Sequence, residues 1–235
     1  MSPASSHVSS PQLQPLLVIG NKNYSSWSLR PWLALKWAGI PFDERVVFLG
    51  GPGYGKSQIP EVLALSPSGR VPALHVGETR IWDSLAIIEW AAEVSRQGKL
   101  WPDEPMARAV CRSLACEMHS SFGALRRDLG MNIRRRTTPR DWPGDTRADL
   151  ARVVDIFTAT RRDFGAPAGG PFLFGARTAV DAMFAPVCTR LRTYGVPLEG
   201  AAAAYCAAVL EDAAFREWER AAEAETQTIA ETDAL

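Results

Sequence analysis

The sequence predicts an α/β N-terminal half followed by an all-α C-terminal half. Three observations support this fold class. Over the first part of the chain, apolar runs and helical periods follow one another in the order βαβ, α, ββ, α. The composition changes at residues 98–104, where glycine, proline and charged residues gather. Beyond this linker the chain is rich in alanine and arginine and keeps a helical period.

The first elements form a strand–helix–strand unit. The apolar run over 16–19 predicts a strand, and the spacing of leucine and tryptophan over 27–38 predicts a helix that stops at Gly39. The mostly apolar stretch over 42–49 predicts a second strand. Strands joined by such a crossover are parallel, with a right-handed connection.

The rest of the N-terminal half predicts a short helix, a hairpin and a longer helix. Residues 57–65 favour a helix that ends at a Ser-Pro-Ser-Gly turn. Residues 70–76 and 79–82 predict strands joined by the Gly77-Glu78 turn. The apolar helix over 85–92 follows Asp83-Ser84, a pair that suits a helix N-terminus.

The C-terminal half predicts five helices, at 105–130, 146–165, 178–193, 202–210 and 212–224. A capping box of Thr178 and Asp181, with apolar residues before it, predicts the start of the third. We therefore expect a disordered tail (1–14), an α/β domain (15–97), a linker (98–104), a helical domain (105–224) and a frayed tail (225–235).

Composition excludes several function classes. The chain has 235 residues with 26 basic and 26 acidic side chains, whereas nucleic-acid and membrane-surface binders have a basic excess. Its four cysteines form no C-x-x-C pair and none lies at ligand spacing from one of the three histidines, which argues against zinc. Reduced thiols and the lack of a long apolar run favour a cytoplasmic protein without metal, nucleic-acid or membrane partners.

Three hydroxyls stand where the first strand passes into the first helix: Ser25, Ser26 and Ser28. A helix N-terminus presents free amides and partial positive charge, so a hydroxyl there helps to hold an anion. If the anion is a thiolate, the pKa of the thiol falls and the sulfur becomes nucleophilic. The alternative is that Ser25 or Ser26 only caps the helix.

Two further features point to a ligand. Pro72 opens an inner strand, which makes Val71-Pro72 a candidate cis peptide whose valine backbone pairs with a ligand backbone; the alternative is an edge strand that tolerates proline. Asp83 and Ser84 suit a ligand's ammonium and carboxylate groups, or simply cap the helix.

Taken together, SSWSLR, GRVPAL, DSLAIIEW and the helical half resemble the soluble glutathione transferases over about residues 16–220. The spacing of Ser25, Ser26, Ser28 and Arg30 is similar to the zeta class, which includes maleylacetoacetate isomerases and normally has cysteine where this chain has Trp27. The resemblance implies a thioredoxin-like N-terminal domain that binds glutathione, an all-α domain that holds the electrophile, and a homodimer formed through the third and fourth helices.

The resemblance also implies roles for residues in the N-terminal half. Ser25 is the best candidate for the hydroxyl on the glutathione sulfur, with Ser26 beside it. Val71 pairs with the cysteinyl backbone, held by cis-Pro72, and Arg70 stands where a polar side chain often contacts the ligand. Asp83 and Ser84 take the γ-glutamyl amine and carboxylate.

The electrophile pocket is predicted from helical spacing. His119, Phe122 and Arg126 share one face of the helix over 105–130 and would lie opposite Ser25, near Trp27. The alternative is that Phe122 is core and Arg126 solvated. The cluster at 134–136 predicts either a solvated face or recruitment of an anionic substrate.

The sequence therefore predicts a glutathione transferase that activates the thiol for attack on a small hydrophobic electrophile. The alternatives are a glutathione-dependent cis–trans isomerase of the maleylacetoacetate or maleylpyruvate type, and a non-catalytic glutathione-binding scaffold. A thiol–disulfide reductase is disfavoured because serines stand at positions 25 and 28, where its cysteines would be.

Overall fold

The computed structural model describes residues 14–235, so most of the tail predicted over 1–14 lies outside the described residues. The N-terminal half contains one mixed sheet of strands β1 (Leu16–Gly20), β2 (Asp43–Val47), β3 (Ala73–Val76) and β4 (Thr79–Trp82). Their order is β2-β1-β3-β4; β1 pairs parallel with β2 and antiparallel with β3, and β3 pairs antiparallel with β4. The predicted parallel pair and hairpin are confirmed.

Three helices accompany this sheet: α1 (Ser26–Trp37), α2 (Pro60–Leu65) and α3 (Ser84–Val94). Helix α2 begins three residues later than the sequence predicts. Pro60 occupies its first position, where the missing amide costs least, and Ser57 has a positive φ of 55° that a helix does not accommodate.

The helical half contains α4 (Pro105–Ser120), α5 (Gly123–Asp128), α6 (Gly144–Thr160), α7 (Ala179–Thr193), α8 (Gly200–Glu211), α9 (Ala213–Ala224) and α10 (Ala230–Asp233). Helix α6 continues into a π-helical turn at Arg161–Gly165. The single helix predicted over 105–130 is instead α4 and α5, because Phe122 between them takes a left-handed backbone with φ of 63°. Its ring packs edge-on against Phe184 in the core.

Helix α7 forms the centre of the core, and almost all of its residues are buried. It packs against α1 and α4, and α1 also packs against α3. The predicted capping box is confirmed: the Thr178 amide and hydroxyl donate to the Asp181 carboxylate at 2.7 and 2.8 Å. The contact of α1 with α7 fixes the start of α1 against the helical half.

The segment over 225–235, expected to be a frayed tail, is built into the fold. It includes α10, and Ile229 is buried. The Glu225 carboxylate accepts from the amides of Lys22 and Asn23 at 2.6 and 3.0 Å, and Asp233 accepts from the Tyr24 hydroxyl at 3.0 Å. These polar contacts were not visible in the sequence because each joins residues about 200 positions apart.

Candidate active site

A cavity of about 640 Å³, called the α3 cavity, opens beside the N-terminus of α3. It brings together the residues for which the resemblance implies glutathione binding, Arg70, Val71, Pro72, Asp83 and Ser84. The remaining lining residues are Trp27, Ser57, Ser68, Trp82 and His119. The structure thus places these residues around one space large enough for a small peptide.

Ser84 and Asp83 form the end of the α3 cavity. The Ser84 hydroxyl is buried and, among the residues that the structure describes, has no hydrogen-bond partner. Asp83 has a positive φ of 71° and accepts from the Leu85 amide at 2.8 Å, which caps α3. Its carboxylate also accepts from His119 Nε2 at 2.9 Å. A buried hydroxyl without a partner at a helix N-terminus suits a ligand carboxylate.

The expected cis peptide is present between Val71 and Pro72. Val71 precedes β3, and neither its amide nor its carbonyl pairs with another backbone group in the described part of the chain. These groups are therefore available to an extended ligand backbone. Arg70 is exposed at the cavity rim, where its Nε donates to Ser57 Oγ at 2.8 Å.

A second cavity of about 580 Å³, called the α1 cavity, adjoins the first at the N-terminus of α1. Ser25 and Ser26 both line it. Its other polar and apolar lining includes Tyr24, Trp27, Leu49, Tyr54, Ile59, Val62, Arg70, Arg126, Met131, Arg190, Thr232 and Leu235. Three arginines and no aspartate or glutamate side chain line this cavity within residues 14–235, so the charged side chains in its lining are all cationic.

Neither serine caps α1. Ser25 is the N-cap residue, but its side chain makes no capping bond and its hydroxyl donates to Ser28 Oγ at 2.7 Å. Ser26 Oγ accepts from Arg190 Nη2 at 3.1 Å. The capping alternative weighed from the sequence is therefore not what these hydroxyls do. Within the described residues, the amides of Trp27 and Ser28 also have no backbone partner, so α1 keeps free donors at this end.

Trp27 lines both cavities, as do Ser57, Arg70 and Val71, and forms part of the boundary between them. Its ring lies under the guanidinium groups of Arg30 and Arg126, at 4.0 and 4.6 Å from ring centroid to Cζ, and edge-on to His119 at 5.4 Å. Cation–π stacking of this kind holds the indole in place. The indole is thus a fixed part of the boundary between the two cavities.

The guanidinium groups of Arg30, Arg126 and Arg190 lie close enough to influence one another's charge. Arg126 donates to the carbonyls of Met118 and Ser121, near the end of α4. Arg190 donates to the Leu129 carbonyl just after α5. Arg30 is fully buried, donates to the Met183 carbonyl at 3.1 Å, and leaves Nη1 without a partner among the described residues. Arg126 and Arg190 therefore serve structure as well, because cations suit helix C-termini.

Burial disfavours the charged form of Arg30 and Arg190 and so lowers their pKa values. Burial, together with the neighbouring charge of Arg126, lowers the pKa of Arg190 to about 10. Burial, then the charges of Arg126 and Arg190, lower the pKa of Arg30. No acidic side chain in the described part of the chain forms an ion pair with any of the three. An anion in the α1 cavity would relieve this repulsion.

The predicted electrophile pocket needs correction at two residues. Phe122 lines neither cavity, because the break between α4 and α5 places its ring in the core beside Phe184. His119 lines the α3 cavity and contacts Asp83 instead of facing the second cavity. Trp27 and Arg126 do line the α1 cavity. The expected shared face is lost because helical spacing does not continue through Phe122.

Several lining residues were missed by sequence reasoning. Arg190 comes from the core helix α7, where an arginine in an apolar helix gave no sign of pointing to Ser26. Thr232 belongs to α10 and shares a hydrogen bond of 3.1 Å with the hydroxyl of Tyr54, which lies in the glycine-rich loop over 50–55.

The cluster at 134–136 also has a different role from those expected. Arg134 donates to the carbonyls of Glu225 and Gln227, and Arg135 donates to the carbonyl of Asp233. Two of the three arginines therefore hold the C-terminal segment in place.

Neither a metal cluster nor a membrane segment is found in the part of the chain that the structure describes. No three His, Cys, Asp or Glu side chains gather there as a group that could hold a metal ion. None of the helices there is both long and apolar enough to cross a membrane.

Comparison with known proteins identifies relatives of this chain. Residues 24–94 match the family model described as glutathione S-transferase, N-terminal domain. Maleylacetoacetate isomerase of Pseudomonas aeruginosa is 39% identical over 108 residues, which are 44% of this chain and 50% of that protein. The match thus spans about half the length of that relative. Maleylacetoacetate isomerase of Rhizobium meliloti is 29% identical over 74% of this chain and 81% of its own.

Solved structures cover more of the chain. A maleylpyruvate isomerase, a bacterial zeta-class glutathione S-transferase, aligns with a TM-score of 0.67 and 24% identity, over 90% of this chain and 100% of its own. A glutathione transferase homologue from Burkholderia gl BGR1 with bound glutathione aligns with a TM-score of 0.65 and 20% identity, over 90% and 99%. Residues 24–94 are thus a glutathione S-transferase N-terminal domain, and the described chain has the fold of the soluble glutathione S-transferases that its motifs resemble.

Proposed function

We propose that this protein is a glutathione transferase. Glutathione lies in the α3 cavity with its sulfur at the start of α1, and the second substrate occupies the α1 cavity. The observation that carries the proposal is the unpartnered, buried Ser84 hydroxyl beside Asp83, in one cavity with the unpaired Val71 backbone. The bound glutathione in the Burkholderia homologue supports this assignment.

The chemistry follows from the neighbouring groups. The Val71 backbone pairs with the cysteinyl part of glutathione, and Ser84 with the free amides of α3 holds the γ-glutamyl carboxylate. Asp83, already paired with His119, accepts from the γ-glutamyl ammonium. Amides at the start of α1 and a serine hydroxyl stabilise the thiolate, which lowers the pKa of the thiol. Positioning beside the α1 cavity then favours attack on the electrophile.

A second candidate function is glutathione-dependent isomerisation of a maleyl-type acid. The observation that favours it is the cationic lining of the α1 cavity, where Arg126 and Arg190 have no acidic partner. Such a lining suits a substrate with a carboxylate better than a wholly apolar one. The relatives named maleylacetoacetate isomerase support the same possibility.

One set of measurements tests both candidates. We expect calorimetry to show glutathione binding, and we expect turnover with a neutral halo-nitroarene or, for the isomerase, with a cis-enone dicarboxylic acid. Conjugation without isomerisation selects the transferase, and the reverse selects the isomerase. Binding without turnover on either substrate would indicate a glutathione-binding scaffold. An absence of glutathione binding would contradict every one of these functions.

We also propose that the protein is a cytoplasmic homodimer. The support is the exposure of three apolar side chains, namely Trp82 at the end of β4, Val94 at the end of α3 and Met106 near the start of α4. Light scattering of the purified protein should give twice the mass of the chain.

A further inference from the structure

The two serines at the start of α1 differ in what their hydroxyl protons do. Ser25 Oγ donates to Ser28 Oγ at 2.7 Å, and Ser28 Oγ also accepts from the Gly20 amide at 3.1 Å. The Ser25 proton is therefore already used inside the protein. Ser26 Oγ is an acceptor from Arg190, and within residues 14–235 no group accepts its own proton. Since both residues line the α1 cavity, only the Ser26 hydroxyl is free to donate into it.

Arg190 holds the Ser26 hydroxyl oxygen by donating a hydrogen bond to it. It is buried on α7, and its guanidinium contacts the carbonyl of Leu129 and lies 3.4 Å from that of Arg126, both at the end of α5. One Nη thus anchors the group to α5 while the other donates to Ser26 at 3.1 Å. An arginine that is held by several of its own N–H donors positions a partner group more rigidly than a flexible lysine does.

The charge of Arg190 also acts on an anion at Ser26. Its pKa of about 10 keeps the guanidinium positive at neutral pH despite burial. An anion that accepts from the Ser26 hydroxyl lies one hydrogen bond beyond the Arg190 guanidinium's own partner, which places it within a few ångströms of that charge. An opposite charge at such a range typically lowers the pKa of an acid by about 1 unit or more. Hydrogen bonding of the serine to a cation further polarises its O–H toward the anion.

We propose that Ser26, rather than Ser25, donates to the glutathione sulfur, and that Arg190 is the positioning residue that orients this hydroxyl and stabilises the thiolate. The inference rests on the proposed function, because it needs glutathione in the α3 cavity. On ionisation the thiol releases its proton to solvent, and the thiolate sulfur accepts a hydrogen bond from the Ser26 hydroxyl. Arg190 thereby connects the core of the helical half to the reacting atom in the other half.

The test is the titration of glutathione bound to the full chain, followed by the ultraviolet absorbance of the thiolate. We expect Ser26→Ala and Arg190→Met each to raise the pKa of the bound thiol by about 1 unit. Ser25→Ala should leave it unchanged, and so should Arg192→Met, which removes an arginine of the same helix that pairs with Glu219. Arg190→Lys, which keeps the charge, should restore part of the shift.

Calorimetry on each variant distinguishes failure of this inference from failure of the proposed function. If wild-type protein does not bind glutathione, both are overturned. If glutathione binds and its thiol titrates alike in wild type, Ser26→Ala and Arg190→Met, the inference alone is wrong. A shift in Ser25→Ala without one in Ser26→Ala would also overturn it. Should Arg190→Met fail to fold, Ser26→Ala and Arg190→Lys keep the test decisive.

Discussion

At the scale of single residues, Ser84 carries the strongest signal for a ligand. Its hydroxyl is buried at the N-terminus of α3 and lacks a partner within the described part of the chain. A buried polar group without a hydrogen bond costs free energy, so its retention indicates a partner that arrives with the ligand. The free amides of α3 add a second reason for an anion at this point.

Replacing this hydroxyl should weaken glutathione binding. A hydrogen bond to a charged group is worth about 1.5–3 kcal/mol, so Ser84→Ala should raise the dissociation constant of glutathione about 10- to 100-fold. Calorimetry measures this constant directly. Ser120→Ala is the matched control, because Ser120 is exposed and donates only to the Cys116 carbonyl of its own helix. Equal affinities in wild type and Ser84→Ala would show that the hydroxyl is not part of the site.

The sequence identifies residues whose roles follow from short motifs, and misses those that depend on distant contacts. Asp83, Ser84 and Val71 stand next to recognisable turns and helix starts, so their gathering around one cavity could be foreseen. The bond from Arg190 to Ser26 joins positions 164 apart and has no local pattern. The choice between Ser25 and Ser26 depends on this bond and could not be made from the sequence.

At the scale of secondary-structure elements, helix α7 both forms the core of the fold and supplies a residue to the candidate site. Its buried N-terminus is held by Asp181, which accepts from Thr178 and from the Leu173 amide at 3.1 Å. Its other end presents Arg190 to α1. The spacing of Thr178 and Asp181 made this helix start predictable, because a capping box is a local signal. The break at Phe122 was not predictable, since its left-handed backbone is fixed by packing in the core.

Burial of Asp181 gives the fold a specific pH dependence. Burial raises the pKa of this carboxyl from 3.8 to about 6, so between these values the folded state binds more protons than the unfolded state. The stability contributed by neutral Asp181 is complete below about pH 4 and is lost as the pH rises through about 6. We expect wild type to lose about 2 kcal/mol of unfolding free energy relative to Asp181→Asn between pH 4 and pH 7.

Urea unfolding of wild type and Asp181→Asn at a series of pH values measures this difference. A gap between the two proteins that stays constant from pH 4 to pH 7 would contradict the assigned ionisation of Asp181. Since Asp181 lines neither cavity, the effect should appear without any ligand.

At the scale of the whole molecule, the C-terminal segment over 225–235 joins three regions around the α1 cavity. It contacts the loop before α1 through Glu225 and Asp233, and the loop after α5 through Arg134 and Arg135. Thr232 reaches the glycine-rich loop at Tyr54. The segment thus contributes Thr232 and Leu235 to the lining of the α1 cavity, whereas its polar sequence predicted a frayed end.

Loosening this segment should be measurable by hydrogen exchange. Glu225→Gln removes a carboxylate that accepts from two backbone amides, so one amide loses its partner. We expect the amides of residues 229–233 to exchange several-fold faster, because their local opening becomes less costly. Glu223→Gln, an exposed neighbour on α9, is the control and should leave exchange unchanged. Equal protection in both variants would show that Glu225 does not hold the segment.

The central claim is that glutathione spans from Ser84 to Ser26, and a crystal structure of the glutathione complex tests it most directly. The account predicts the γ-glutamyl carboxylate against the Ser84 hydroxyl, the cysteinyl backbone paired with Val71, and the sulfur within hydrogen-bond distance of Ser26 Oγ. Glutathione outside the α3 cavity, or a sulfur bound by Ser25 with Ser26 still facing an empty space, would contradict it.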